Sequence, residues 1–356
     1  MQRNRISFKG QKIFIGIDVH KNSWQVTTLT ETGLKRTHPQ KASAKELFDF
    51  LNRHYPEGEY KAVYEAGFSG FSTYYSLKEY GIDCIVIHPS DVPTSQYESV
   101  MKSDRVDSEK LSRSLRAGLL KGIYVREKEN LDDRSLLRLR TSIRKDLSSY
   151  RHRIKHLLHN HGVILPDRFE NMKNCWNRAF IKWLREEVRL MSETRRSLDF
   201  LIEQVETIRK NLLKITLAVR HLGQEEKYKA QYDLIYSIPG IGSLTAMTIL
   251  TEIYDIRRFH NERQFASYLG LIPTSHSSGE KISHGEKTFR GNKQIGPMLI
   301  ESSWVAIRRD AGLAVSYGRY LKRMTPQEAI VRIARKLSNI IYAVLKTGTR
   351  YKPYEY

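Results

Sequence analysis

Cysteine is scarce in this chain and long apolar runs are missing, and each shortage removes a class of protein. Only Cys84 and Cys175 occur among 356 residues, far apart and without metal-ligand spacing. Neither a disulfide framework nor a thiolate metal site is expected, and the compartment should be a reducing one. No stretch approaches the roughly 18 apolar residues of a membrane helix. Met1 to Lys12 is basic but lacks the apolar run of a signal peptide. These absences predict a cytoplasmic protein without membrane attachment. No internal repeat or low-complexity tract is evident. Acidic side chains are in short supply too: 39 Asp and Glu against 60 Lys and Arg, a formal net charge of +21.

That imbalance is local. Residues 1–120 hold 17 basic and 14 acidic side chains, a net +3, which leaves +18 for residues 121–356. A segregated basic excess draws polyanions by counterion release, so nucleic acid is the expected partner. A solvated basic surface is the plainer alternative. Hydrophobic residues make up 40% of the chain, enough for a sizeable core. At this length two domains are expected, since single cores stop growing near roughly 250–300 residues.

The first third alternates strand and helix signals. Lys12 to Asp18 reads as a buried strand, and Ser23 to Thr30 is β-branched with near alternation. Glu31-Thr-Gly33 turns the chain toward a third strand. Ser43 to Asn52 reads as a helix with Ser43 as N-cap and Glu46 as its capping-box partner. Strands at Tyr60–Glu65 and Ile82–Ile87 follow, with a helix after Gly70 and another from about Asp104 to Leu119. Strands joined directly, then strands alternating with helices, predict a mixed sheet covered by helices, a ribonuclease-H-like layout.

From about Asp132 to His161 the pattern becomes helical and basic, with Leu136, Leu139, Ile143, Leu147, Ile154, Leu157 and Leu158 at intervals of three, four and seven. A second helical stretch runs from about Cys175 to Leu222, with Leu198, Leu201, Val205, Ile208, Leu212 and Ile215 on one stripe. A turn around Pro166 separates them. Such a pair suits either an antiparallel coiled-coil arm or a bundle folded onto its own domain. From Lys227 onward a mainly helical region is predicted, with a glycine turn at Ile238-Pro-Gly-Ile-Gly242, a polar loop at 274–293, and helices near 294–309 and 326–346.

Four acids stand out. Asp18 and Glu65 each close an apolar strand, where an unpaired charge is costly and a metal ion would compensate it. Asp104 and Asp107 stand three apart at a helix start, on one face. Such a set suits two-metal phosphodiester chemistry. Taken singly, helix capping explains either Asp104 or Asp107, and strand-end pairing explains Asp18 or Glu65. His20 and Lys21, just after Asp18, read as a surface turn with a lesser chance of touching a phosphate. The glycine turn has the form of a helix-hairpin-helix, whose second helix start can bind a phosphate oxygen, or of an ordinary packing corner. The last helix mixes Arg332, Arg335 and Lys336 with apolar Ile330, Ile333, Ala334 and Leu337, a packed face with a basic edge.

Gly16-Ile-Asp-Val-His-Lys21, Tyr64-Glu-Ala-Gly67 and Lys102-Ser-Asp-Arg-Val-Asp107 resemble the DEDD motif of the insertion-sequence one-ten family of transposases, relatives of the Piv-type invertases. The glycine turn, Phe265-Ala-Ser-Tyr-Leu-Gly-Leu-Ile-Pro273 and Ser277-Ser-Gly279 match the family's C-terminal part. The resemblance implies a RuvC-like catalytic domain over 1–125, a helical coiled-coil or oligomerisation region over 126–226, and a C-terminal transposase domain over 227–356. It implies that Asp18, Glu65, Asp104 and Asp107 bind Mg²⁺, with Mn²⁺ as a substitute. It also implies that Ser278 attacks DNA to form a covalent phosphoserine link. Ser277 is the reserve candidate and Ser275 the third. Glu280 departs from the small residue many relatives carry after the glycine.

A serine needs activation, and His276, Lys281, His284, Lys287, Arg290 and Lys293 lie near enough in sequence to orient a phosphate or stabilise the transition state. Donor and target DNA, a noncoding bridge RNA and a homo-oligomer, dimer or tetramer, are the implied partners, in a bacterial or archaeal nucleoid setting. Domain convergence on one phosphate is expected to occur between subunits. The alternatives are a RuvC-like nuclease in which metal-activated water attacks, and a non-catalytic nucleic-acid-binding scaffold.

Overall fold

The computed structural model describes residues 7–96, 103–169, 176–278, 281–287 and 291–353; at 273–278 and 281–287 only the backbone is considered. Lys102, Cys175, Gly279, Glu280 and Arg290, singled out above, lie outside the described residues. The chain divides into two units, Met1–Arg126 and Glu127–Tyr356.

Three antiparallel strands open the first unit: β1 (Lys12–Val19), β2 (Ser23–Thr30) and β3 (Lys35–Lys41). After α1 (Ala44–His54) comes β4 (Glu59–Glu65), then α2 (Ser72–Glu79), β5 (Asp83–Ile87) and α3 (Asp104–Arg116). The strand order is β3-β2-β1-β4-β5, with β4 parallel to β1 and β5 parallel to β4. This is the ribonuclease-H-like mixed sheet expected from the motif order. Ser43 caps α1 as predicted, its hydroxyl accepting from the Glu46 N–H at 3.3 Å. On one face of the sheet Ile13, Ile15, Ile17 and Tyr64 bury against Leu47 and Leu51 of α1 and Leu77 of α2. On the other, Val63 and Ile87 meet Leu111 of α3.

The second unit is largely helical. Its long helices are α4 (Lys128–Asn160) and α6 (Ser192–Leu222), with the short α5 (Arg178–Glu186) between them in sequence. The stretch expected to run unbroken to Leu222 is therefore interrupted after Glu186, without a proline or glycine to mark it. The break has a tertiary cause. Phe180, Ile181, Trp183 and Leu184 bury among Leu147 and Ile154 of α4 and Leu198 and Ile202 of α6. Arg195 then donates to the carbonyls of Leu184 at 2.7 Å and Val188 at 3.3 Å, satisfying the end of α5. Leu139, placed on the apolar stripe by its spacing, is 54% exposed, while Leu137 is buried instead.

The remaining elements are α7 (Glu226–Tyr236), α8 (Ser243–Ile253), α9 (Glu262–Tyr268), β6 (Pro273–Ser278), β7 (Lys281–Lys287), α10 (Ile295–Ala306), α11 (Ala311–Leu321) and α12 (Pro326–Thr347). Here the predicted polar loop at 274–293 is corrected: β6 and β7 form an antiparallel hairpin. Helix α12 carries a full capping box from Thr325 and Glu328 and buries Ile330, Ile333, Ala334 and Leu337, the face its spacing predicted. Among the described residues no helix is long and apolar enough to cross a membrane.

Candidate metal centre at the sheet edge

The geometry of the centre begins at Gly16. Ile13, Ile15 and Ile17 of β1 face α1 and α2, so the period of two sends Gly16 and Asp18 toward α3. A Cβ at Gly16 would lie 2.0 Å from Ser108 O and 2.5 Å from Ser112 N. Only glycine lets helix and strand backbones approach that closely. The buried hydroxyls of Thr27 and Ser108, 2.9 Å apart, hold α3 against β2 as well. So fixed, α3 presents its first turn at the end of β1.

Ser103 caps α3, its hydroxyl accepting from the Val106 N–H at 3.3 Å. The capping role that would have explained Asp104 or Asp107 is thus filled by another residue. Asp104 turns to the β1 end instead. His20 Nε2 lies 3.2 Å from Oδ2 of Asp18 and 3.2 Å from Oδ2 of Asp104. The ligand atoms of these three side chains all fall within 4.8 Å of one another.

His20 was read from the sequence chiefly as part of a surface turn, and the structure places it in the cluster. The signal was available: alternation from Asp18 carries position 20 to the same side, and the backbone bond from His20 N–H to Ser23 O at 3.0 Å fixes the turn that holds it there.

Asp107 stands one turn further along α3, where the buried Lys110 ammonium donates to its Oδ1 at 2.9 Å. Glu65 ends β4. Since β4 pairs with β1 in parallel with Tyr64 opposite Ile17, Asp18 and Glu65 leave the sheet at the same edge. Val63 packs on Leu111, so the period of two directs Glu65 to the α3 side too. Asp18, His20 and Asp104 form the tight cluster; Asp107 is close enough to act on Asp18, and Glu65 leaves the sheet at the same edge.

Burial pushes the Asp18 carboxyl above its ordinary pKa of 3.8; the neighbouring His20 opposes the rise, while Asp104 and Asp107 add to it. A carboxylate crowded by two others gains from a nearby cation. Two carboxylates and an imidazole make a set capable of coordinating a divalent metal.

In the second unit Ser278 is the last residue of β6, paired with Lys281 across the hairpin, with Ser277 and Ser275 on the same strand. The residues that bracket this hairpin in sequence meet each other. A Cβ at Gly291 would lie 2.3 Å from Gly270 Cα, and Asn292 N–H donates to Tyr268 O at 2.7 Å. The Asn292 amide also donates to Glu252 Oε2 at 3.0 Å. Glu252, 2% exposed, receives Arg134 at 2.9 Å and Arg138 at 3.0 Å from α4. Burial alone would raise its pKa, but the two guanidinium hydrogen bonds bring it from 4.5 to about 2. This network was not foreseen, although Glu252 is the one charged residue in α8.

The glycine turn between α7 and α8 is in part a packing corner. Gly240 has φ +85°, and a Cβ there would meet Ser302 O of α10 at 2.4 Å. Gly242, by contrast, faces open space.

Comparison with known proteins gives two matches in order along the chain. A DEDD transposase profile of the IS110 type matches residues 15–162, spanning all four acids. A profile described as transposase of the IS116/IS110/IS902 family matches residues 232–317, spanning the glycine turn and Ser278. The transposase for insertion sequence element IS1111A of Coxiella burnetii is 25% identical over 99% of this chain and 94% of its own length. The transposase for IS1533 of Leptospira borgpetersenii is 28% identical, over 71% of this chain and 73% of its own. The pilin gene-inverting protein of Moraxella lacunata is 35% identical, over 34% of this chain and 38% of its own. With an Asp/His cluster at the β1 end of a ribonuclease-H-like sheet and two matching profiles in order, the chain belongs to the IS110/IS1111 family of transposases.

Proposed function

We propose that this protein cuts and rejoins DNA, with Asp18, Glu65, Asp104 and Asp107 holding divalent cations against the backbone and Ser278 as the nucleophile. The observation that carries the reading is the meeting of Asp18, His20 and Asp104 where β1 ends and α3 begins. A bound cation would supply charge neutralisation at the phosphate and favour the attacking oxygen as its anion. The chain's own residues do the rest. The carboxylates would hold such a cation, His20 orients Asp18 and Asp104, and Lys110 holds Asp107 in place.

In the first half-reaction the Ser278 Oγ–P bond forms and one sugar oxygen–P bond breaks, the departing oxygen taking a proton and the serine losing one. The reverse step, with a hydroxyl from another strand attacking the phosphoserine, restores the phosphodiester. Because a phosphoester linkage is conserved throughout, no external energy source is required. The basic second unit fits donor and target DNA and a guiding noncoding RNA, and the long α4 and α6 helices fit assembly into a dimer or tetramer. These finer assignments come from the family resemblance together with the charge of residues 121–356.

A second reading has its own support: Asp18, His20 and Asp104 lie together within one unit, so metal-activated water could cleave without Ser278. Trapping protein–DNA adducts under denaturing conditions separates the two. The adduct should disappear in Ser278→Ala and persist in Ser277→Ala. DNA cleavage by Ser278→Ala at the wild-type rate, without an adduct in either protein, would establish hydrolysis.

A further inference from the structure

The carboxylate cluster lies on the α3 side of the sheet edge. On the other side, toward α1 and α2, a pocket of about 240 Å³ opens beside it. His20 belongs to both: its Nε2 faces Asp18 and Asp104, and its ring lines the pocket. Trp24, 5% exposed, and Thr73, 5% exposed, form the depth of the pocket. Ser69 and Ser76 supply hydroxyls, and Lys21 a cation. No carboxylate is among the lining residues.

Phe68 forms part of the pocket with 69% of its surface exposed, the most open of the aromatic side chains among the described residues. It sits on the loop that follows Glu65, and that loop is braced. The Tyr64 hydroxyl donates to Gly70 O at 2.9 Å and accepts from the Tyr74 N–H at 3.2 Å. A large apolar ring held out in water on a fixed loop awaits a partner with a flat face.

We propose that this pocket receives an unpaired nucleoside of the DNA strand, adjacent to the phosphodiester held at the carboxylate cluster; the proposal rests on the carboxylate reading above. The shared His20 puts the occupant one unit along the chain from a phosphate at Asp18 and Asp104. Phe68 offers a π-face on which any base stacks, and hydroxyls that both donate and accept tolerate any base edge. Lys21 meets the next phosphate. The site is open at one side, as a continuous strand requires, and its lack of acids suits a polyanion. Phe68 and Lys21 are then binding residues for the substrate strand, and His20 is the wall common to strand and metal.

The test uses the full-length protein with a single-stranded dT oligonucleotide carrying one 2-aminopurine, with Ca²⁺ in place of Mg²⁺ to suppress chemistry. Wild-type binding should quench the fluorophore. Phe68→Ala should lose the quenching and bind about tenfold more weakly or worse, the loss of one base–aromatic stack, while Phe68→Trp restores both. Phe68 is exposed, so a circular dichroism melt of Phe68→Ala should match wild type. Wild-type quenching and affinity in Phe68→Ala would overturn the proposal. So would an effect of Phe68→Ala on the corresponding RNA oligonucleotide alone, which would assign the pocket to RNA. The assay reads stacking rather than cleavage, so it stands apart from the carboxylate reading. If Asp18→Asn still cleaves DNA, that reading fails while the Phe68 signal continues to judge the pocket.

Discussion

Among the described acidic side chains drawn away from water, Glu252 in the second unit and Asp18 in the first have surroundings that differ in kind. Glu252 is 2% exposed and meets two guanidinium groups and an amide, which take its pKa down to about 2. Asp18 is partly buried beside a single histidine, with Asp104 and Asp107 close enough to raise its pKa. Among the described residues, two guanidinium groups compensate the first charge, whereas the second has a histidine set against two further carboxylates. The first arrangement is that of a structural tie between α4, α8 and Asn292. The second is that of a set capable of coordinating a divalent cation, which would offset the mutual repulsion of the carboxylates.

This contrast can be broken by exchanging each acid for its amide. The largest effect is expected for Asp18→Asn in a strand-cleavage assay. Metal-held charge stabilisation is worth several kcal/mol, so cleavage should fall by about a hundredfold or more. Thermal unfolding of the same variant without metal should show no loss of stability, because a repelled charge is removed. A large drop in melting temperature would make Asp18 a structural residue and dissolve the distinction.

Glu252→Gln should behave oppositely, destabilising the second unit by about 3 kcal/mol, the scale for breaking a buried ion pair. The pH dependence sharpens this. The folded pKa of Glu252 is depressed, so its contribution is complete above the unfolded value of 4.5 and lost as pH falls from there toward about 2. Wild-type stability should therefore decline across that window by up to about 3 kcal/mol more than that of Glu252→Gln. Denaturant melts at stepped pH measure the difference, and parallel curves for the two proteins would remove Glu252 from the account.

The smallest effect is metal binding itself. Mg²⁺ or Mn²⁺ at 100 times its dissociation constant should stabilise the first unit by about 2.7 kcal/mol, seen as a rise in melting temperature that Asp18→Asn abolishes. A rise that survives in Asp18→Asn would place the bound ion elsewhere.

Much of the first unit was legible because its signals are local. The apolar run of β1, the β-branched run of β2, the Ser43 cap and the strand-terminal acids each report their own conformation within a few residues. Asp104 and Asp107 were readable as one helix face by their spacing. His20 was missed because a polar residue after a strand resembles any turn, and only the alternation from Asp18 marks its side. The second unit was harder. The break after Glu186 has no proline or glycine and comes from Arg195, nine residues on, and from the aromatic face of α5. The hairpin at 273–287 carries Ser, His and Gly where strand formers are usual, so a flexible loop was the natural expectation.

Composition and local pattern by themselves determined that this is a basic chain with a sheet-bearing first third, helical remainder and four acids in strand, strand, helix order. Tertiary structure alone decided which of those acids sit tightly together, that His20 joins them, and that Glu252 is tied off by two arginines from α4. The reason is one of range. Backbone preference and hydrophobic period act over a few residues and are written into each segment. The approach of α3 to β1 across Gly16, or of α4 to α8 across Glu252, depends on close packing between segments some hundred residues apart.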